Sequence, residues 1–253
     1  MIAAAGMREG FTTVTPIVST LNVNPVVEFA KQVFGAVETL RAELGAQGVH
    51  CEIRIGESML MVGGGPGMPP RPQVLHIYVP DVDAAYQRAL DAGAESVLPV
   101  EDRPYGERLG GVKDPAGNIW YIATLLPGGA KTAGARTVVP YVHHPEALEI
   151  IEFLKRGLGG EALGVYKSPE GRLMHAAVRV GDGIIELGAA PAMPVAFYLY
   201  VPDVDALYQQ ALAAGAESLS PPADQPYGDR VGRIRDPWGN TWHIATHTGA
   251  RAG

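Results

Sequence analysis

Tyr78-Val79-Pro80-Asp81-Val82-Asp83-Ala84 is written a second time as Tyr200-Val201-Pro202-Asp203-Val204-Asp205-Ala206, 122 residues further on. The match runs without a gap to Thr124 and Thr246, with 31 of 47 positions identical. Upstream it is looser: Pro16 pairs with Pro140, Phe29 with Phe153, and His50 to Met61 with His175 to Glu186. So long a period means that whole domains repeat, since solenoid units run to roughly 20–50 residues. The joint, PGGAKTAGAR at 127–136, has no apolar periodicity and reads as a linker between domains at 12–126 and 137–248.

Inside each copy a four-strand, one-helix pattern occurs twice. Thr13 to Ile17 alternates as a strand, and Asn24-Pro25 supplies an N-cap and an N1 proline. Val26, Val27, Ala30, Val33 and Phe34 form a helical stripe that Gly35 closes. His50 to Ile55 and Ser58 to Val62 form a hairpin over Gly56-Glu57. The second half repeats the plan. A strand at Leu75 to Val79 precedes a helix capped by Asp81 or Asp83, with the stripe Val82, Tyr86, Ala89, Leu90. Three strand segments follow, near Ser96–Pro99, Tyr105–Lys113 and Asn118–Leu125. Asp114-Pro115-Ala116-Gly117 and Asp236-Pro237-Trp238-Gly239 are turns with Pro at i+1 and Gly at i+3. Through turn and side-chain hydrogen bonds, Asp236 is expected to contribute about 1 kcal/mol. The fold class is α+β, with four βαβββ modules.

Composition narrows the function. The 253 residues are 47% hydrophobic and 19% charged with a net charge of −7, which argues against a nucleic-acid partner. No apolar run approaches the ~18 residues of a membrane span, and the N-terminus lacks a secretory pattern, so a cytoplasmic location is expected. Cys51 is the single cysteine, which excludes an intrachain disulfide.

Paired βαβββ modules with a D-P-x-G-N turn before the last strand resemble the vicinal oxygen chelate superfamily of glyoxalase I, bleomycin-resistance proteins and extradiol dioxygenases. The subgroup that looks nearest is PhnB-like. Its Y-G-D/E-R, D-P-x-G and W-x-I-A-T elements are matched by Tyr105 to Arg108, Asp114 to Gly117 and Trp120 to Thr124, and by Tyr227 to Arg230, Asp236 to Gly239 and Trp242 to Thr246. The resemblance implies two open-barrel domains, each around a pocket. It also implies, in metal-dependent members, a ligand on the first and last strand of each module, usually two His and two Glu. Those positions fall on Thr15, Met61, His76 and Tyr121 in copy one, and on Val139, Glu186, Tyr198 and His243 in copy two. Valine cannot ligate, and Thr15 and Met61 suit a hard or borderline metal poorly. Pairing modules across the copies would join His76, Glu186 and Tyr121, the best divalent-metal set on offer. No cofactor is expected.

Strand alternation turns some residues toward the pocket and others toward the helices. His76, Tyr121, Glu186 and His243 are the candidate proton-transfer residues; Tyr78, Tyr141, Tyr198, Tyr200, Met59 and Met61 are candidate ligand contacts. Trp120 and Trp242 take the opposite face and read as core. His50 with Arg54, and His175 with Arg179, read as a solvent or interface face. His143-His144 reads as a surface loop, and Arg108 and Arg230 as structural partners of Asp114 and Asp236 across the hairpin. The leading reading is a metal-independent binder of a small, aromatic organic molecule, acting by sequestration or proton transfer. The runner-up is a metal-dependent lyase, isomerase or dioxygenase of the glyoxalase type, and a third is a protein-interaction module with vestigial pockets. Tandem copies can imitate a homodimer within one monomer, and a homodimer of the whole chain is the other possibility.

Overall fold

The computed structural model describes residues 6–66 and 69–249. Four modules follow one another with identical connectivity. The first is β1 (Val14–Thr20), α1 (Val23–Phe34), β2 (Val37–Glu43), β3 (Val49–Ile55) and β4 (Ser58–Gly64). The second is β5 (Val74–Tyr78), α2 (Val82–Asp91), β6 (Glu95–Arg103), β7 (Glu107–Lys113) and β8 (Ile119–Leu125). The third is β9 (Val138–His143), α3 (Ala147–Leu158), β10 (Glu161–Lys167), β11 (Leu173–Val180) and β12 (Gly183–Gly188). The fourth is β13 (Ala196–Tyr200), α4 (Val204–Ala213), β14 (Glu217–Asp224), β15 (Asp229–Arg235) and β16 (Thr241–His247). Within a module the first strand lies beside the last, giving orders such as β5-β8-β7-β6. The outer strands β2, β6, β10 and β14 are open edges, so no sheet closes into a barrel.

The chain divides into two compact units, Ile17–Tyr141 and Met1–Pro16 with Val142–Gly253. Packing explains why the units exchange short segments relative to the sequence repeats. Val14 joins the apolar core of the second unit, and Thr13 C=O accepts from Tyr200 N–H at 2.8 Å. Val138 joins the core of the first unit, where Ser58 Oγ accepts from its N–H at 2.9 Å. In the first unit α1 packs on β3 and β4 and α2 on β6, β7 and β8, strands of two different sheets, and Trp120, Ile77 and Ile122 lie in the core beneath the helices with no exposed surface. Trp242, Phe197 and Ile244 do the same beneath α3 and α4.

Helix α1 corrects the reading of its start. Asn22, not Asn24, is the N-cap: its backbone is extended and its side chain accepts from Asn24 N–H at 3.1 Å. Pro25 therefore sits third in the first turn, where an N–H has no helical partner and its loss is harmless. Asp81 and Asp203 cap α2 and α4 in the same way.

The D-P-x-G-N turns are more than turns. Asp114 Oδ1 accepts from Ala116 N–H and Asn118 N–H, both at 2.9 Å, while Oδ2 accepts from Asn118 Nδ2 at 2.8 Å and Trp120 Nε1 at 3.0 Å. Asn118 Oδ1 in turn takes Gln73 N–H at 2.8 Å, tying the turn to the start of β5. Asp236 repeats every one of these bonds with Trp238, Asn240 and Trp242, and Asn240 holds Val195 N–H. Gly117 and Gly239, at φ 91° and 89°, occupy the left-handed conformation each turn requires.

Arg108 and Arg230 do not pair with these aspartates. Arg108 grips Asp83 with two bonds of 2.7 Å and reaches Asp102 at 2.9 Å, and Arg230 does the same with Asp205 and Asp224. Strand alternation sends these arginines toward the helix side, away from the face their neighbours Glu107 and Asp229 share.

Candidate functional site

In the second unit the face of the β13–β16 sheet turned away from the helices carries Tyr198, Tyr200, His243, His247, Asp229 and Arg233. Register fixes this set: Tyr198 lies beside His243, and Asp229 and Arg233 lie opposite His247 and His243. Asp229 is its centre and is 1% exposed. Its Oδ2 accepts from Tyr198 Oη at 2.7 Å and from Tyr200 Oη at 2.9 Å, while Oδ1 lies 2.7 Å from His247 Nδ1. With Nδ1 turned to the carboxylate, Nε2 is the ring nitrogen of His247 directed away from it. Burial, together with the negative charge of Asp229, pushes both tyrosine pKa values well above the ordinary phenol range. They are donors to the carboxylate, not phenolates.

The first unit carries the equivalent group with different wiring. Glu107 occupies the place of Asp229, and its Oε1 accepts from Tyr78 Oη at 2.8 Å. Its Oε2 is 3.4 Å from Nε2 of His76, which stands where the second unit has Tyr198. The His76 and Tyr78 rings are 4.6 Å apart, and Lys131 Nζ lies 4.5 Å over the Tyr78 ring. Leu125 stands where the second unit has His247. Tyr121 packs edge-on to Tyr141 at 5.8 Å, and burial pushes its pKa up.

The predicted site residues therefore sort by unit. In the first, His76 and Tyr78 meet at Glu107, and Tyr121 meets Tyr141. In the second, Tyr198 and Tyr200 meet at Asp229, with the His243 ring 6.1 Å from Tyr198. Glu186 is 1% exposed on β12 opposite Ala177, in the second unit. Met61 is buried opposite Glu52 on β3, and Met59 is half-buried. Among the described residues no group of three or more His, Cys, Asp or Glu is arranged to hold a metal ion. The donor chemistry agrees: Val139 cannot ligate, Met61 offers a thioether, and Tyr198 is committed to Asp229. The residues present do not fit a two-His, two-Glu site.

On the His50 strand, partly exposed His50 and exposed Arg54 share a face, with buried Glu52 between them and its Oε1 3.3 Å from His50 Nε2. One histidine reading needs correction. His143 is not in a surface loop; it ends β9, half-buried, and burial lowers its pKa to about 4. His144 stands at the start of α3, its Nδ1 accepting from Glu146 N–H. Glu107, Asp229 and His247 were not singled out from the sequence. Counting alternation back from Tyr121 and His243 through the hairpin would have found both acids. A cleft of about 520 Å³ between the end of α1 and the start of α2, lined by Lys31, Phe34, Asp81 and Arg88, is on the helix side, away from these groups.

The glyoxalase/bleomycin resistance protein/dioxygenase superfamily matches the sequence twice, at residues 21–122 and 144–244. The chain belongs to this superfamily. A Mycobacterium bovis relative, Uncharacterized protein Mb0911c, is 32% identical over 120 residues, covering 42% of this chain and 79% of that protein. A second from the same organism, named "Putative glyoxylase CFP32", is 28% identical over 198 residues, 72% of each chain. Glyoxalase I from Zea mays superposes with a TM-score of 0.71 at 13% identity, covering 93% of each chain, which establishes a shared fold. No helix among the described residues is long and apolar enough to cross a membrane.

Proposed function

We propose that this superfamily member binds a small organic molecule on the helix-free sheet face of each repeat, without a bound metal, and moves protons with its carboxylate–histidine pairs. The observation that carries this reading is the Asp229 cluster. A buried carboxylate that fixes one imidazole nitrogen leaves the other as a general base, oriented by a rigid sheet. Tyr198 and Tyr200 hold that carboxylate in place, and their rings with His243 offer flat surface for an aromatic ligand. In the first repeat His76 and Glu107 supply the corresponding pair.

Elemental analysis of purified protein, paired with ligand-observed NMR against flat aromatic fragments, tests the reading. The expected result is far less than one transition metal per chain, together with fragment binding that shifts the rings named above. Near-stoichiometric metal that disappears in Glu186→Gln overturns the metal-free reading. That outcome would promote a metal-dependent, glyoxalase-type lyase or isomerase, the reading that the name of the mycobacterial relative favours. Fragments that bind nowhere overturn the ligand-binding reading itself.

A further inference from the structure

Strand β15 carries three arginines, and two are neutralised. Arg230 is held by Asp205 and Asp224, and Arg235 by Glu217 at 3.0 Å. Arg233 has no carboxylate partner among the described residues. Its Nε donates to Ser220 Oγ at 3.0 Å, which fixes the stem and leaves the two terminal nitrogens of an exposed guanidinium. Register places Arg233 directly across from His243, on the face shared with Tyr198 and Asp229. Tyr227 precedes β15 by two residues; burial is the main influence on its hydroxyl and raises its pKa, and Arg233 is the smallest of the opposing influences.

The equivalent positions of the first repeat are Gly111, Tyr121, His76 and Tyr105. A Cβ at Gly111 would stand 3.1 Å from Leu98 Cβ and Val97 Cγ2 and 3.2 Å from Tyr121 Cδ1, so position 111 has no room for a side chain and carries no cation; the ammonium of Lys131 lies instead over the Tyr78 ring. The two faces thus differ in charge at one homologous point.

We propose that the second repeat's face is an anion site for an aromatic carboxylate, with Arg233 as its anchor and His243 beside it, and that the first repeat's face is not. A guanidinium presents paired N–H donors that match a carboxylate, and the rings of Tyr198, Tyr227 and His243 suit the aromatic body. The inference rests on the reading that these faces bind small organic molecules, and names the ligand class for one of them.

The probes are benzoate and its neutral analogue benzamide, titrated into the ¹⁵N-labelled full chain. Benzoate is expected to shift amides of β15 and β16 and to bind about tenfold more tightly than benzamide, the equivalent of about 1.4 kcal/mol. Arg233→Gln should erase that tenfold preference, bringing benzoate and benzamide to equal affinity. Arg233→Lys, which keeps the charge but not the fork, should fall between. If benzamide binds and benzoate gains nothing, or if benzoate shifts β7 and β8 instead, the anion site falls while the ligand-binding reading stands. If neither probe binds, both fall.

Discussion

Glu107 and Asp229 start from the same place in the repeat, one residue after Tyr-Gly and one before Arg, yet they organise their surroundings differently. Asp229 gathers two tyrosine hydroxyls and a histidine within 2.7–2.9 Å. Glu107 gathers one tyrosine at 2.8 Å, and His76 lies 3.4 Å away. The histidine comes from the last strand of the fourth module in one case and the first strand of the second module in the other. At the D-P-x-G-N turns, by contrast, every hydrogen bond that Asp114 accepts has its counterpart at Asp236, and only the Trp238 indole adds one, to Glu146 Oε2 at 2.9 Å. Duplication has left the scaffold interchangeable and let the helix-free faces drift apart, which is why function is sought on those faces and stability at the turns.

The turns should give the largest effect, and an equal one. Asp114→Ala or Asp236→Ala removes a carboxylate that accepts four hydrogen bonds inside the protein. Backbone N–H, amide and indole donors would be left without their acceptor. Each substitution is expected to cost about 3 kcal/mol, well above the value for a surface turn. Urea unfolding followed by tryptophan fluorescence checks this, since Trp120 reports the first unit and Trp238 and Trp242 the second. A cost near 1 kcal/mol would mean that the buried donors find water, and unequal costs would break the claim that the two turns are interchangeable.

Next in size is the contrast between the two acids. Asp229→Ala leaves two buried hydroxyls and an imidazole without an acceptor, whereas Glu107→Ala strands mainly Tyr78. The expected losses are about 2–3 kcal/mol and about 1 kcal/mol respectively. Asp229→Asn is the sharper variant, because an amide can still accept from Tyr198 and Tyr200. It should restore much of the stability while moving the His247 hydrogen from Nδ1 to Nε2, which ¹⁵N chemical shifts read directly. Equal losses at positions 107 and 229 would show that the shorter contacts around Asp229 carry no extra weight.

The module pattern, the duplication and the helix-side tryptophans were legible in the sequence because they depend on periodicity, which is local. The D-P-x-G-N turn was legible as a turn but not as a network, since Trp120 and Gln73 reach it only through the fold. Glu107 and Asp229 were overlooked for a related reason. Next to an arginine an acid looks like half of an ion pair, and only strand alternation shows that the two neighbours leave on opposite faces. The exchange of 13–16 and 137–141 between units has no sequence signature, because those residues pack by burial of Val14 and Val138, and valines there suit either copy equally.

The smallest effect should come from Arg108 and Arg230. Each holds its first-turn helix aspartate through two short bonds, and the nearby aspartates 102 and 224 add a third contact in each repeat. The geometry is good, and attraction to the two acids raises both guanidinium pKa values while the hydrogen bonds lower those of Asp83 and Asp205. Solvent nevertheless decides the outcome. The acids are more than half exposed, so water and salt screen the attraction, and ordering two long side chains offsets part of what remains. Arg108→Ala and Arg230→Ala should therefore shift the melting curve only slightly, by similar amounts, and the shift should shrink further in molar salt. A large, salt-insensitive loss in one repeat alone would show that its arginine also packs its stem against α2 or α4. The two repeats would then differ in scaffold as well as in their helix-free faces.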